Sequence, residues 1–331
     1  MAKFTPPSGL DLKPIAYQDF QGLDSSRNPK SLDTGERQHL LKLNNGTCDF
    51  RGQIVRDPVA QHRNGDLPVL HMRHYGLTRL AWAELTGSGV SFTSDADHRL
   101  DDAYPRTAIL SSTVFNQRVV FGARNEEPYR YNGQIWEGFS SPALKLMKPA
   151  YYATTNRRMV VAGIPGRETQ VHFSRVDNED VFPDDEDPES NSVLRAGFID
   201  IANLLSTADE VTGIGAFEQN RLAVFTNDKT FIYRIDPDIT RWTLDDNANI
   251  NVGCIAHNTI QKAGTDLIFC SRDGVHSIRR SETNGILVFS VPLSEKIDQL
   301  YRSYVAKVAD PREISADFDQ DENQNHIDYP M

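Results

Sequence analysis

Short apolar runs alternate with turn-forming residues along most of this chain. Gly, Asn, Asp and Pro interrupt the runs about every 8–12 residues, which is typical of β-sandwiches, barrels and propellers. A helical period of apolar residues is best in two segments, Gly35–Leu43 and Ser294–Val308, where we expect helices. The pattern as a whole predicts an all-β protein.

Four of the apolar runs are similar to one another, and each is followed by a turn and a second run. The first runs begin with a charged residue and are Arg118–Gly122, Arg158–Ala162, Arg221–Phe225 and Asp266–Cys270. The second runs are Pro128–Tyr131, Thr169–Phe173, Thr230–Tyr233 and Val275–Ile278. The charged residues are 40, 63 and 45 positions apart, and an insertion, Asp177–Asn191, accounts for most of the long interval. A period of about 40–45 residues with two or more strands per unit predicts the blades of a β-propeller.

An earlier unit, Val69–Tyr75 followed by Arg79–Leu85, has the same form and predicts another blade. Because one blade cannot cover both of its faces, blades stabilise one another by stacking in a closed circle. We therefore expect a propeller of about six blades, within a range of five to seven, over residues 61–331. Residues 1–60 hold few strand-like runs, and we expect an irregular arm that docks on another subunit or wraps the surface. A β-sandwich with coincidental spacing is the alternative fold.

Composition and charge narrow the classes of function. The 331 residues include 35 Lys and Arg against 46 Asp and Glu, so the net charge is −11. Such a chain is poorly suited to grip a phosphate backbone, since that affinity comes from basic side chains. No window approaches 18 consecutive apolar residues and the first residues lack a signal-peptide core, so we expect neither a membrane span nor classical secretion. Three distant cysteines, Cys48, Cys254 and Cys270, predict reduced buried thiols and a reducing compartment.

Several segments carry a resemblance to one family. The amino-terminal ones combine a glycine-containing loop, an acidic Gly-Glu turn, an Asn-rich strand and a basic-Pro stop: Phe20–Asp24, Pro29–Glu36, Leu43-Asn44 and Gly52–Pro58. The later ones follow the order of three blades: Gln170–Arg175, Val181–Pro183, Phe198–Asp200, Val211–Phe217, Asn220–Phe225, Thr230–Arg234, Cys254, Asp266–Cys270 and Arg272–Val275. Together they resemble the tail nozzle, or tail-tube, proteins of short-tailed bacteriophages, the packaged-DNA stabilisation family. The similarity is strongest from Tyr151 to Arg280.

This resemblance implies a structural virion protein whose propeller belongs to a homohexameric ring below the portal and tail adaptor. The ring would extend the DNA channel, retain packaged DNA and let it pass on ejection, without sequence-specific binding of the double strand. The implied partners are further copies of the chain, the adaptor and portal, and a tail fibre or tailspike. The protein would be assembled in the host cytoplasm and located in the virion tail. Members of this family are usually longer, with further domains after the propeller.

Acidic residues near the end of the chain imitate the spacing of a Ca²⁺-binding loop. The ligands would be Asp317, Asp319, Asp321, Asn323 and Asp328. However, Glu322 stands where such a loop needs Gly, and the sequence predicts no flanking helices. A polar hairpin turn between two strands explains the same residues.

The insertion Asp177–Asn191 contains a run of acidic residues and two prolines. Its candidates for contact with another tail component, with the channel rim or with a cation are Asp184, Asp185, Glu186, Asp187 and Glu189. A solvated loop without such a role is the alternative.

No catalytic motif stands out in the sequence. Glycosidases need two carboxylates about 5–10 Å apart, and separate blades could supply such a pair from Asp200, Glu210, Asp236 and Asp273. Ser271–Gly274 matches part of a sialidase Asp-box but lacks its aromatic ending. His71 and His74 lie three positions apart in one expected strand and so on opposite faces, which makes a shared metal improbable. We therefore predict that the chain is not an enzyme and has no cofactor.

The sequence thus leaves three classes of function. A subunit of a phage tail ring is favoured by the arm and the resemblance. A propeller glycoside hydrolase acting on a cell-surface polysaccharide predicts paired carboxylates and aromatic platforms. A soluble propeller scaffold that binds a host protein predicts a closed monomer with an adhesive face.

Overall fold

The computed structural model describes residues 20–23, 38–40, 46–48, 54–56, 69–75, 79–187, 191–205, 209–218, 220–245, 250–278, 282–283, 286–287, 292–319 and 324–328. The chain divides into two compact units. One contains Met1–Gln61 with Glu295–Leu300, and the other contains His62–Ser294 with Tyr301–Met331. The second unit holds the blades.

The first unit contains four short strands. β1 (Phe20–Leu23) pairs in parallel with β2 (Gln38–Leu40), and β3 (Gly46–Cys48) pairs in antiparallel fashion with β4 (Ile54–Arg56). The helix predicted over Gly35–Leu43 is therefore wrong where the structure describes it. The spacing of the apolar residues there is compatible with a helix or with a strand, and pairing with β1 stabilises the strand.

Four antiparallel sheets of four strands follow one another in the second unit, and we number them as blades 1 to 4. Blade 1 contains β5 (Val69–Tyr75), β6 (Arg79–Leu85), β7 (Val90–Ser94) and β8 (Leu100–Tyr104). Blade 2 contains β9 (Leu110–Phe115), β10 (Arg118–Ala123), β11 (Tyr129–Tyr131) and β12 (Trp136–Gly138). Blade 3 contains β13 (Tyr151–Thr155), β14 (Arg158–Ala162), β15 (Gln170–Phe173) and β16 (Gly197–Asp200). Blade 4 contains β17 (Val211–Phe217), β18 (Arg221–Thr226), β19 (Thr230–Arg234) and β20 (Thr243–Leu244).

A fifth sheet has three strands, β21 (Gln261–Ala263), β22 (Asp266–Cys270) and β23 (Val275–Ser277), and forms blade 5. Two hairpins follow it, formed by β24 (Glu282–Thr283) with β25 (Ile286–Leu287), and by β26 (Ser315–Asp319) with β27 (Gln324–Asp328). The described residues contain two α-helices, α1 (Pro142–Met147) and α2 (Asp298–Val305). The second lies within the helix expected over Ser294–Val308, which is thereby confirmed.

The predicted all-β propeller is confirmed, and the described residues form five blades, the lower end of the expected range. The four similar runs of the sequence are the second strands β10, β14, β18 and β22, and the runs after them supply the third strands. Asn116 and Asn156 have φ angles of 47° and 44°, in the turns that join the first and second strands of blades 2 and 3. Asn tolerates this left-handed conformation and suits two-residue hairpin turns, which explains its place before the repeated runs.

Apolar side chains between neighbouring blades form the core. Phe92 of blade 1 packs on Phe121 of blade 2, with ring centroids 5.1 Å apart, and Phe225 of blade 4 packs on Phe269 of blade 5 at 4.8 Å. The thiols of Cys254 and Cys270 are free and buried in these interfaces, as expected from the sequence. None of the helices in the described part of the chain is long and apolar enough to cross a membrane.

Candidate functional site

The first strands of blades 1 to 4 lie innermost. β5, β9, β13 and β17 contact one another in succession, so that they surround the axis of the propeller. Their contacts include polar pairs: His71 Nε2 lies 2.7 Å from Ser112 Oγ, and Thr113 Oγ1 lies 2.9 Å from Thr154 Oγ1. Side chains from successive blades therefore meet directly around the axis.

A 3-10 turn, His257–Thr259, extends from the start of blade 5 to these inner strands, and we call it the axial turn. The His257 ring packs on Tyr151 of β13 at 5.0 Å, and His257 Nδ1 accepts a hydrogen bond of 3.4 Å from Ile214 N of β17. Asn258 Nδ2 donates to Leu110 O of β9 over 2.8 Å. The turn thus contacts the first strands of blades 2, 3 and 4.

The two axial histidines are neutral at physiological pH. Burial lowers the pKa of His257 to about 3, and the positive charge of Arg73, and that of His71 when it is protonated at low pH, oppose its protonation further. Burial also lowers the pKa of His71 to about 4, again with Arg73 contributing. Since His257 Nδ1 accepts a hydrogen bond from a backbone N–H, a proton on that atom would break the contact with Ile214.

Charged side chains cluster where the inner strands begin. Arg124, directly after β10, reaches Glu210, directly before β17, with Nη1 3.5 Å from Oε2. Its Nη2 atom lies 3.9 Å from Glu168 Oε1. Nearby, Arg312 pairs with Asp310, with Nη2 2.7 Å from Oδ2. Glu210 and the Arg124 and Arg312 guanidiniums act electrostatically on Tyr151, the first residue of β13, and we call this group of charged residues the charged rim.

The rim places two carboxylates from separate blades, Glu168 and Glu210, beside one guanidinium, and a glycosidase also uses two carboxylates. Glu168 accepts a hydrogen bond from Gly166 N, and this bond holds the pKa of Glu168 below its usual range. A general acid needs the opposite shift, so Glu168 does not suit that role. Arg124 stands between the two carboxylates and neutralises part of their charge.

Of the four carboxylates considered for catalysis, the structure places only Glu210 at this rim. Asp200 ends the outermost strand of blade 3, Asp236 follows the third strand of blade 4, and Asp273 lies in a turn of blade 5. In that turn Asp273 Oδ1 accepts a hydrogen bond from Ser271 Oγ and lies 3.2 Å from His276 Nε2. Because the carboxylate lies between Ser271 and His276, the imidazole does not contact the hydroxyl, and this is no nucleophile–base pair.

The acidic insertion is tied to blade 2 through a buried carboxylate. Glu179 accepts from Arg118 Nη1 at 2.7 Å, from Arg130 Nη1 at 3.3 Å and from Asn116 Nδ2 at 2.9 Å. Arg130 also donates to Asp180 Oδ2 over 2.7 Å. The beginning of the insertion is therefore an ordered part of the propeller.

The predicted interaction residues differ in their environment. The Asp185 carboxylate accepts hydrogen bonds from groups at the start of α1, namely Ala143 N at 2.8 Å and Ser141 Oγ. Asp184 pairs with Arg167 at 2.7 Å, and Asp187 lies 3.5 Å from Arg175. Glu186 is exposed, whereas Glu189 lies outside the described residues. A contact of this loop with another tail component stays a prediction.

The candidate Ca²⁺ ligands lie on a hairpin. Asp317 and Asp319 belong to β26 and Asp328 belongs to β27, with Asp317 paired to His326. Asp321 and Asn323 lie outside the described residues. The backbone is thus an antiparallel hairpin, as the alternative interpretation expected. Among the described residues, no group of three or more His, Cys, Asp or Glu is arranged to hold a metal ion.

Sequence reasoning missed the axial turn and most of the charged rim. The residues that it missed are His257, Asn258, Tyr151, Arg124 and Glu168. A signal existed in the repeat itself, because residues that begin a first strand or follow a second strand converge at one end of a propeller. Applying that rule would have selected Tyr151 and Arg124 without a structure.

No protein-family model matches the chain, and no curated protein matches it. Solved structures with a similar fold include catalytically inactive virginiamycin B lyase from Staphylococcus aureus with quinupristin, at 11% identity and a TM-score of 0.42 over 76% of this chain and 78% of that one. Hsv2 from Kluyveromyces lactis has 11% identity and a TM-score of 0.40 over 80% and 85%. BBS1N in complex with ARL6DN has 16% identity and a TM-score of 0.38 over 68% and 67%.

These comparisons correct one prediction. From the sequence we expected that the chain is not an enzyme, but structures with a similar fold include a lyase. That expectation is withdrawn, and catalysis is not excluded for this chain. The similarity concerns the fold alone and assigns no activity.

Proposed function

We propose that the protein is a structural component of a phage virion, a subunit of the tail nozzle ring that extends the portal–adaptor channel. In this proposal six copies surround the DNA, retain it after packaging and let it pass on ejection. The family resemblance supports the proposal, since the segments that carry it correspond to successive hairpins of blades 3, 4 and 5. The proposed partners are the tail adaptor, the portal assembly and a tail fibre or tailspike.

The observation that carries the proposal is the axial turn. Its hydrogen bonds join the inner strands of blades 2 and 4, and the His257 ring packs on Tyr151 of blade 3. Because the turn bridges these strands, we infer that a double helix does not pass between them. In a ring of such chains the DNA would pass between the subunits, and each propeller would serve as a solid segment of the wall. In this arrangement the propeller has a structural role in the wall of the channel.

The charge of the chain suits such a wall. A net charge of −11 repels phosphate and allows DNA to slide, whereas a basic surface would hold it at many points. Several arginines are moreover engaged by carboxylates of the chain itself: Arg118, Arg124, Arg130, Arg157, Arg167, Arg234 and Arg312. These guanidiniums are partly neutralised before any DNA approaches.

The experiment is to mix the purified protein with the tail adaptor bound to its portal and to image the product by electron microscopy. The proposal expects a ring of six copies below the adaptor. If the protein stays unbound under conditions in which the adaptor itself binds the portal, the proposal is wrong. The isolated chain is expected to be monomeric, because the subunit interfaces would form only on the adaptor.

A second candidate function is hydrolysis of a cell-surface polysaccharide, which the two rim carboxylates favour. Glu168 and Glu210 come from different blades and flank one guanidinium. The test is depolymerisation of bacterial surface polysaccharides by the wild type and by Glu168→Gln and Glu210→Gln. Turnover that both variants abolish would establish the hydrolase and displace the ring proposal. The lowered pKa of Glu168 makes us rank this function second.

A further inference from the structure

Four side chains form a continuous row on one face of blade 3. In the pairing of β15 with β16, His172 stands opposite Phe198, and Gln170 stands opposite Asp200. Residues opposite each other, and residues two positions apart, share a face of a sheet. Val171, which lies between Gln170 and His172 in β15, packs on the other face in the core shared with blade 4.

An aromatic platform lies at the centre of this row. The Phe198 ring is 53% exposed and lies nearly parallel to the His172 ring, with a centroid distance of 5.3 Å and an angle of 21°. His172 itself is buried, and burial together with the charge of Arg167 lowers its pKa to about 4, so that the lower ring is neutral. The Phe198 ring, supported by His172, therefore presents an apolar surface to the solvent.

Oriented polar groups adjoin the platform. Asp200 accepts from Thr169 Oγ1 at 2.9 Å and from Gln170 Nε2 at 3.2 Å, while Gln170 Oε1 lies 2.9 Å from His172 Nε2. Partial burial opposes ionisation of Asp200, but hydrogen bonds from Ala202 N, Thr169 and Gln170 outweigh it and hold its pKa below the usual range. The carboxylate is therefore ionised, fixed in place and exposed, and its oxygens can accept further hydrogen bonds.

An ion pair stands near the same face. Arg167 Nη1 donates to Asp184 Oδ2 over 2.7 Å, and both residues act electrostatically on His172. Asp184 is one of the acidic residues for which the sequence predicted an interaction. The platform is thus adjoined by planar groups that donate and accept hydrogen bonds.

We propose that this face binds a pyranose unit of a polysaccharide. One face of a pyranose ring carries C–H groups, which are attracted to the negative face of an aromatic ring. The equatorial hydroxyl groups at its edge would donate to Asp200 and exchange hydrogen bonds with Gln170. An apolar protein partner would instead desolvate the Asp200 carboxylate without replacing its hydrogen bonds, which is costly. The row therefore favours a hydroxyl-rich ligand, and this inference does not depend on the ring proposal.

The test is binding of the full chain to an array of bacterial lipopolysaccharide O-chains and capsular polysaccharides, followed by calorimetry with the glycan bound best. We expect Phe198→Ala to weaken binding at least tenfold. Phe198→Leu should weaken it to a similar extent, because leucine keeps apolar area but has no ring face, whereas Phe198→Tyr should retain it. Asp200→Asn keeps an acceptor for Thr169 and should weaken binding severalfold.

The matched control is Ile135→Ala, which removes a side chain of similar exposure, 57%, on blade 2. It should bind as the wild type does, and all variants should keep the wild-type melting temperature within a few degrees. Absence of binding to every glycan on the array would overturn the proposal. Binding that survives both Phe198→Ala and Phe198→Leu would also overturn it.

Discussion

The guanidinium of Arg158, on β14 of blade 3, donates a hydrogen bond of 3.0 Å to the carbonyl oxygen of Pro237, which follows β19 of blade 4. The same side chain donates to Ser174 O at 2.7 Å and to Arg195 O at 2.6 Å. Arg158 is fully buried, and burial lowers its pKa to about 10. One side chain thus connects the backbones of two blades.

Replacement of this side chain should destabilise the propeller. Arg158→Met leaves the buried oxygen of Ser174 and the partly buried oxygens of Arg195 and Pro237 without their donor. An unsatisfied buried group costs about 1–3 kcal/mol, so we expect a loss in this range. The free energy of unfolding in urea measures it. Arg157→Met is the control, because Arg157 is exposed and pairs with Asp177 at the surface, where a salt bridge contributes about 1 kcal/mol or less. Equal losses in both variants would contradict this account.

The axial histidines make stability dependent on pH. Both have a lower pKa in the folded protein than the usual value of about 6.5. The unfolded chain therefore binds protons more readily than the folded protein, so that the free energy of unfolding is greatest above pH 6.5 and decreases as the pH falls below that value. At pH 5 each of His71 and His257 should stabilise the fold by about 2 kcal/mol less than at pH 8. Unfolding curves at both pH values check this, and His257→Gln should reduce the difference. A stability that is equal at pH 5 and pH 8 would refute the assignment of neutral buried rings.

The bond between the acidic insertion and blade 2 depends on Glu179. Glu179→Gln removes the charge that Arg118 and Arg130 share, and breaking a buried ion pair costs about 3–5 kcal/mol. We expect a lower melting temperature and faster cleavage by a protease between residues 177 and 191. Glu186→Gln, in the same insertion but exposed, should change neither. Protection of the insertion in Glu179→Gln would show that other contacts hold it.

Blades 2 and 3 approach closely at Gly122. A Cβ atom there would lie 2.2 Å from Cε2 of Tyr152, a buried side chain of the next blade. Gly122→Ala should therefore cost about 1–3 kcal/mol or more, the usual range for overpacking. Gly138→Ala is the matched control, since nothing lies within 4 Å of its Cβ position. Thermal unfolding of the two variants distinguishes close packing from a general effect of Gly replacement.

The repeated part of the fold could be predicted because each hairpin carries its own local signal. Asn116 and Asn156 mark tight turns, and the apolar runs after them become the second strands β10 and β14. The apolar residues of Gly35–Leu43 misled the prediction because three-residue strands are too short to show an alternating pattern. Prediction from local sequence is least accurate for a strand whose conformation depends on pairing with another strand.

The candidate site could be predicted much less well, since it depends on contacts between distant residues. Asn258 and Leu110 are 148 positions apart, and only closure of the propeller brings them together. Likewise, the run of carboxylates in the insertion looked like a solvated charge cluster, yet Glu179 is buried between arginines of blade 2. A run of charged residues in a sequence does not reveal which of these residues form ion pairs in the folded protein.

Quantitative mass spectrometry of purified particles of the phage to which the ring proposal assigns this sequence tests the central proposal most directly. The ring proposal predicts about six copies per particle in a fixed ratio to the tail adaptor, as expected for a closed ring of identical subunits. Absence of the protein from the particle would contradict the proposal, and the polysaccharide assays of the rim variants would then take precedence.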